Sequence, residues 1–202
     1  RHYSTPDGRQ VPSVTTVLSA TKDMTHLHAW RKRVGMEKAQ QITTESANIG
    51  TVMHRSLEKH VKGEDRTPGS NLIQQKAHGM ANVIIENGLN DVSEVWGSEV
   101  SLYYPELYAG TTDLVGVYKG QPAIMDFKQA RRLKKKEWVE DYYLQLVAYA
   151  EAHNKQYDTQ IKNGRIFICT QANEYQTFEI DNYDQWVGKW YAKLEEYYKQ
   201  VL

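Results

Sequence analysis

The sequence predicts an α/β protein, with a mixed central β-sheet flanked by helices and a mainly helical lobe in front of it. Three observations predict this class. Up to about residue 90 the apolar residues keep helical spacing, as in His54, Leu57, Glu58 and Val61 at i, i+3, i+4 and i+7. From Val95 the pattern changes to strand-like alternation. The elements that follow run as three strands, a helix, two strands and a helix, the order of a sheet with helices on its faces.

The length of 202 residues suits one domain, 1–202, with a helical part at 1–90 and a sheet-bearing core at 91–202. Charged residues make up 25% and apolar residues 40%, an ordinary globular balance. The formal net charge is zero, so nucleic-acid binding would need a local basic patch. No apolar run approaches membrane-spanning length and no secretory signal opens the chain, so no membrane partner is expected. Cys169 is the single cysteine. That excludes a disulfide framework, a cysteine zinc site or a cysteine-held iron–sulfur cluster within the chain, and a reducing compartment is expected. There is no internal repeat.

Taken in order, Thr5-Pro6-Asp7-Gly8 is a turn signal, so residues 1–12 form a short hairpin or an extended arm. Ser13 caps a short helix from Val14 to about Ala20. Ser13 and Thr15 put hydroxyls near a helix N-terminus, where free N–H groups favour an anion; plain capping is the simpler reading. A second helix is expected from Met24 to about Ala39, carrying Trp30, and a third over 45–62. A lone His such as His54 on a helix face is more often a core or surface residue than a ligand. A fourth helix runs from about Asn71 to Asn87. Strands follow at Val95–Tyr104, which carries Glu99, at Tyr108–Tyr118 and at Gln121–Lys128. Arg131, Arg132, Lys134, Lys135 and Lys136 form a basic run, usually a solvated face. A helix over Glu137 to about Asn154 makes Gln145 and Tyr149 i, i+4 neighbours. Strands at Gly164–Thr170 and Tyr175–Ile180 and a Trp- and Tyr-rich helix from Tyr183 complete the chain.

The centre of the sequence is a hairpin. A two-residue loop at Lys119-Gly120 sets Asp113 directly opposite Asp126, with Cβ atoms about 4.5–5.5 Å apart. Lys128 lies two residues on and shares that face. Leu114, Val115, Ile124, Met125 and Phe127 around them have the look of buried positions. Two buried carboxylates repel, so one takes a proton or a divalent cation binds between them. Carboxylate oxygens suit Mg²⁺ or Mn²⁺. Such a cation acidifies water and stabilises charge on phosphorus, and Lys128 is placed to orient the attacking water or offset that charge. The bland alternative is a salt-bridge cluster neutralised by Lys128.

The series Gly110-x-x-Asp113, Asp126-Phe127-Lys128 and Gln145-Leu-Val-Ala-Tyr149 resembles the PD-(D/E)XK nuclease superfamily in its RecB-like branch. Gly50 to Glu58, with His54, and Glu99 match that branch's early-helix His and first-strand Glu. Pro12-Ser13-Val14-Thr15-Thr16-Val17-Leu18, followed by Trp30-Arg31, is similar more narrowly to the mitochondrial genome maintenance exonucleases and their phage-encoded relatives. The likeness runs from about Val11 to the last helix. It implies a restriction-endonuclease-like core and a metal-dependent exonuclease acting mainly on single-stranded DNA ends. It also implies that His54, Glu99, Asp113, Asp126 and the Phe127 carbonyl surround Mg²⁺ or Mn²⁺. Lys128 would be the catalytic lysine, and Gln145 and Tyr149 would position it or the scissile phosphate. Ser13 and Thr15 would lie near the DNA path. Trp30 or Tyr142 would stack on bases while Arg131, Arg132 and Lys134 to Lys136 track phosphates.

Two positions depart from the family pattern. Thr112 stands where the name-giving Pro would be, and Gln129 where Thr or Ser is frequent. With one cysteine the chain is not of the iron–sulfur type. A structure-specific flap endonuclease and a non-catalytic DNA-end-binding module are the alternatives. A monomer with no obligate protein partner is expected. The short N-terminus favours a phage protein in the bacterial cytoplasm over the mitochondrial matrix.

Overall fold

The computed structural model describes residues 1–202. A hairpin opens the chain, β1 (His2–Ser4) against β2 (Gln10–Pro12), so the expected arm is a hairpin. Four helices follow: α1 (Val14–Thr21), α2 (Thr25–Val34), α3 (Met36–Lys62) and α4 (Leu72–Asn87). Then come β3 (Val92–Tyr104), β4 (Tyr108–Tyr118), β5 (Gln121–Ala130), α5 (Glu140–Tyr157), β6 (Asn163–Thr170), β7 (Tyr175–Glu179) and α6 (Tyr183–Val201).

The helix boundaries differ from the expected ones at two places. The Met24–Ala39 helix stops at Val34, and α3 runs unbroken from Met36. Gly35 closes α2, its N–H bonding the Arg31 carbonyl. Nothing between Ala39 and Glu45 then breaks α3, since the residues there include neither Gly nor Pro. The Thr43 hydroxyl bonds back to the Ala39 carbonyl within the helix, 2.9 Å away. The helix expected from Glu137 begins at Glu140, after a 3-10 turn at Lys136–Trp138.

The strand order is β3-β4-β5-β6-β7, and only β5 and β6 run parallel. The α5 crossover between them is what a parallel pair requires. This is the mixed, helix-flanked sheet that the sequence predicts. Alternation along the strands sends side chains into two cores. Val115 and Ile124 face α1, α5 and α6, packing with Val14, Leu144, Val147 and Trp190. Leu114, Met125, Phe127 and Phe167 face α3 and α4, packing with Met53, Leu57, Met80 and Ile84.

The β4–β5 hairpin has the anticipated register. Leu114 pairs Met125, and pairing continues to Tyr118 and Gln121. Lys119 and Gly120 both have positive φ, 47° and 82°, as a type I′ turn demands. An irregularity does occur beside Gly116, but it lies in β3, between Val95 and Gly97, and leaves the hairpin intact. There the β3 backbone leans over Gly116. A Cβ at that position would sit 2.1 Å from the Glu94 carbonyl oxygen, a backbone atom that cannot swing away. Gly116→Ala is therefore expected to lower stability by about 2–3 kcal/mol in urea unfolding. A loss below about 0.5 kcal/mol would mean that the bulge yields freely.

Candidate active site

The site forms where the β4–β5 ladder stops. Beyond Leu114 and Met125 the two acids take over the pairing. Asp126 Oδ1 accepts the Asp113 N–H at 3.1 Å and the Thr112 hydroxyl at 3.0 Å. Asp113 Oδ2 accepts the Phe127 N–H at 2.8 Å. Each carboxylate thus replaces a backbone bond of the ladder and is fixed by it. The other two oxygens, Asp113 Oδ1 and Asp126 Oδ2, have no hydrogen-bond partner in the protein.

Asp126 is buried and Asp113 nearly so. Burial, and then repulsion from Asp113, pushes the Asp126 carboxyl up to about 7. Burial also pushes Asp113 up to about 6, against the Phe127 N–H and Lys128, which favour its charged form.

Lys128 emerges on the same face as Asp126, toward α5. Its Nζ donates to Gln145 Oε1 at 2.7 Å and lies 5.0 Å from the centre of the Tyr142 ring. Tyr149, one turn beyond Gln145, is buried close enough to the two acids for their charge to raise its hydroxyl pKa, a smaller effect than burial itself. Its ring also explains Gly110, where a Cβ would lie 2.8 Å from Tyr149 Cε1.

His54 reaches the site from α3 on the other side. Its Nε2 donates a short hydrogen bond to the Phe127 carbonyl and lies 3.6 Å from Asp113 Oδ2. Burial and then Lys128 lower its pKa, so the ring is neutral at pH 7. The two residues expected to ligate side by side therefore bond each other, with the proton on Nε2.

Glu99 is set apart. The β3–β4 register would place it opposite Asp113, between the Ser98–Leu114 and Val100–Thr112 pairs. Its backbone instead has φ of 50°, the left-handed region, unusual for Glu in a strand. Partial burial, then Glu58 and Asp126, push its carboxyl pKa up, while Lys62 lowers it. The acid thus lies under the influence of α3 as well as of the aspartates. As the side chains stand, no three His, Cys, Asp or Glu residues are grouped to hold a metal ion. The sequence pattern puts five donors into one shell; the structure links Asp113, Asp126, His54 and the Phe127 carbonyl by pairwise contacts, and Glu99 is coupled to both aspartates through its charge.

No protein-family model matches the chain. Across 93% of its length the chain is 28% identical to mitochondrial genome maintenance exonuclease 1 of Mus musculus. The Homo sapiens protein of that name is 27% identical over the same share. The chain spans 59% and 58% of the length of these relatives. The crystal structure of a "Putative exonuclease" from Eubacterium rectale superposes with a TM-score of 0.57 at 12% identity, over 76% of this chain and 66% of that one. That likeness concerns the fold. The two relatives and the shared fold fit the PD-(D/E)XK nuclease-like reading of the sequence.

The other expected residues fall into distinct settings. Ser13 is buried and caps α1, accepting the Thr16 N–H at 3.1 Å, and its hydroxyl lies 3.1 Å from that of exposed Thr15. Plain capping accounts for Ser13. Trp30 is half-buried on α2, a helix with no buried residue that packs chiefly on α3. Tyr142 carries Lys128 over its ring rather than standing free for a base. In the basic run Lys136 is paired with Asp181, Lys135 lies 5.3 Å from the Trp138 ring centre, and the Lys134 backbone bonds Gln176. Arg131 and Arg132 are exposed and in no ion pair.

Sequence reasoning misses a part for Thr112 and Glu58 in the site. Thr112 lies one residue before Asp113 and its hydroxyl holds Asp126; strand alternation alone would turn it to the other face with Leu114, so no local pattern announces it. Glu58, one helical turn beyond His54 and paired with Lys62 at 2.6 Å, contributes negative charge to the site.

Proposed function

We propose that this chain is a divalent-metal-dependent exonuclease that hydrolyses single-stranded DNA from a free end. The observation that carries the reading is the meeting of Asp113, Asp126 and Lys128 at the open end of the β4–β5 ladder. Each acid there has one oxygen anchored and one uncommitted.

The donors fit a hard divalent cation such as Mg²⁺ or Mn²⁺, since they are carboxylate and carbonyl oxygens with one neutral imidazole. Asp113 and Asp126 would hold it, with the Phe127 carbonyl, Glu99 and His54, its proton moved from Nε2 to Nδ1, completing the set. When bound, the cation neutralises phosphate charge and makes water more acidic. The protein's own groups do the rest. The two carboxylates, elevated in pKa by burial, are available as ions above about pH 7. The Lys128 ammonium, held by Gln145 and the Tyr142 ring, orients water for attack on phosphorus and offsets the negative charge of the transition state. A water oxygen bonds to phosphorus as the bond to the leaving deoxyribose oxygen breaks, and a proton passes to that oxygen.

Single-strand and end preference are supported by the front of the molecule. α2 and the first half of α3 bury little, with Ala39 and Ile49 as the buried positions of α3 before Met53. They carry Arg31, Lys32, Arg33 and Lys38, a basic arm suited to a threaded strand. Linear and circular single-stranded DNA separate the possibilities. With Mg²⁺ or Mn²⁺ the linear form should be degraded to short products while the circle survives at least about tenfold longer. Equal loss of both would reject action from an end.

A further inference from the structure

On the face of α3 turned away from the site, Arg55 and Lys59 line a cleft closed on its far side by Arg66 and by His78 of α4. The helical spacing makes the separation plain. Val52, Arg55, Ser56 and Lys59 share one face, and His54, Leu57, Glu58 and Val61 share the opposite one. The cavity is about 120 Å³. At about 30 Å³ per water that holds one phosphate group, and the rest of a strand or nucleotide would lie outside the open cleft.

Its charge is one-sided. None of the four basic groups takes part in an ion pair, although the chain has nine Lys or Arg ion pairs elsewhere. Of the two acids adjacent to these groups in sequence, Glu58 pairs with Lys62, and Asp65 is turned onto Thr67, accepting its N–H at 3.0 Å and its hydroxyl at 2.7 Å. Asp65 does feel the charge of Lys59.

Arg66 is fixed in place by neutral acceptors. Its Nε donates to the Ser56 carbonyl at 3.1 Å, and its Nη2 to Ser56 Oγ at 3.0 Å and Asn82 Oδ1 at 2.9 Å. Nη1 makes no bond within the protein. His78 Nδ1 is buried and has no partner. Gln74, from the first turn of α4, borders the cleft at the positive end of that helix dipole.

A guanidinium held rigid by neutral oxygens, with spare N–H groups, an ammonium and an unpartnered imidazole nitrogen around one small cavity, is a donor set suited to an anion. We propose that this cleft is a phosphate-binding site, separate from the catalytic face. It takes either a backbone phosphate of a nucleic-acid strand running past α3, or a free phosphate or mononucleotide. Rigid Arg donors favour a multi-oxygen anion over a lone carboxylate or chloride.

Two titrations test it, neither of which needs catalysis. In the first, inorganic phosphate is added to the intact chain in EDTA at constant ionic strength, and the imidazole and arginine side-chain NMR signals are followed. Saturable shifts of His78 and Arg66 at millimolar phosphate, matched by sulfate and not by chloride, are expected. The absence of such shifts overturns the proposal. Because this arm uses the unaltered protein, a variant that fails to fold cannot obscure it.

In the second, the affinity for single-stranded oligonucleotides in EDTA is measured against salt for the intact chain and for Arg55→Gln/Lys59→Gln. Arg55 is exposed, Lys59 half-buried, and neither side chain makes a hydrogen bond or ion pair, so folding depends little on them. If a strand phosphate occupies the cleft, the slope of log K against log salt falls in magnitude by about 0.7 for each phosphate that the cleft releases. Phosphate shifts with an unchanged DNA slope would assign the site to the free anion or nucleotide. Phosphate shifts that survive intact in the double variant would overturn the assignment to these residues. A failed nuclease assay would leave both titrations standing.

Discussion

Asp126→Asn is expected to abolish cleavage and, without metal, to stabilise the fold. The substitution keeps the acceptor that holds the ladder end, because an amide oxygen can take both the Asp113 N–H and the Thr112 hydroxyl. What it removes is the charge. In the folded protein that carboxyl is pushed up to about 7 from 3.8. An acid with a raised folded pKa keeps its proton more firmly when folded. Stability is then greatest below the unfolded pKa near 4, falls as pH rises, and has lost its full share above about 7. A shift of about three units at 1.36 kcal/mol each sets that share at roughly 4 kcal/mol. In EDTA at pH 8, urea unfolding should show Asp126→Asn more stable than the parent by about 2–4 kcal/mol, with the gap closing toward pH 4. With Mg²⁺ or Mn²⁺ present, the same variant should lose at least about 10³-fold in cleavage rate, several kcal/mol of barrier. A variant within tenfold of parental activity would remove Asp126 from the reaction. One less stable than the parent at pH 8 would show that the carboxylate is a structural asset and not a strained ligand.

That pairing of strain and function is legible from the turn outward. Lys119-Gly120 can only be a short hairpin loop, and the register it imposes sets Asp113 against Asp126 without knowledge of any other neighbour. Alternation then assigns Lys128 to the same face. Glu99 escapes such reasoning. The register carries it toward Asp113, but its left-handed backbone is announced by no pattern in Val95–Tyr104. The bulge beside Gly116 is foreseeable from the glycine but its strand is not, because a glycine marks a close approach without naming the neighbour that makes it. Gly35 shows the opposite error. Periodicity runs through it as a helix interior and puts the break in a Thr-containing stretch, whose weaker propensity does not break a helix that holds neither Gly nor Pro there. The hydrogen bond from His54 to Phe127 joins residues 73 apart in sequence, beyond any local pattern.

Lys128→Met tests the other half of the site, and its signs run opposite to those of Asp126→Asn. The ammonium favours the charged forms of Asp113 and Asp126 and disfavours a charged His54. Its removal leaves two buried carboxylates facing each other without a cation. In EDTA at pH 8 the variant should therefore be less stable than the parent, and the difference should shrink as acid protonates the pair. Combined with Asp126→Asn, the loss should be much reduced, a coupling that a plain packing defect would not produce. In the nuclease assay the rate should fall about 10²–10³-fold, the usual cost of removing one donor that meets developing charge. The acidic limb of the rate–pH profile should also move to higher pH, since both carboxyls then ionise later. Gln145→Leu offers the graded case: it frees Nζ from its 2.7 Å bond but leaves the charge and the Tyr142 ring. It should slow the reaction by about tenfold through poorer positioning while leaving the acidic limb near its parental pH. If Gln145→Leu shifted that limb as far as Lys128→Met does, Gln145 would be acting on the carboxylates directly and not by holding the lysine.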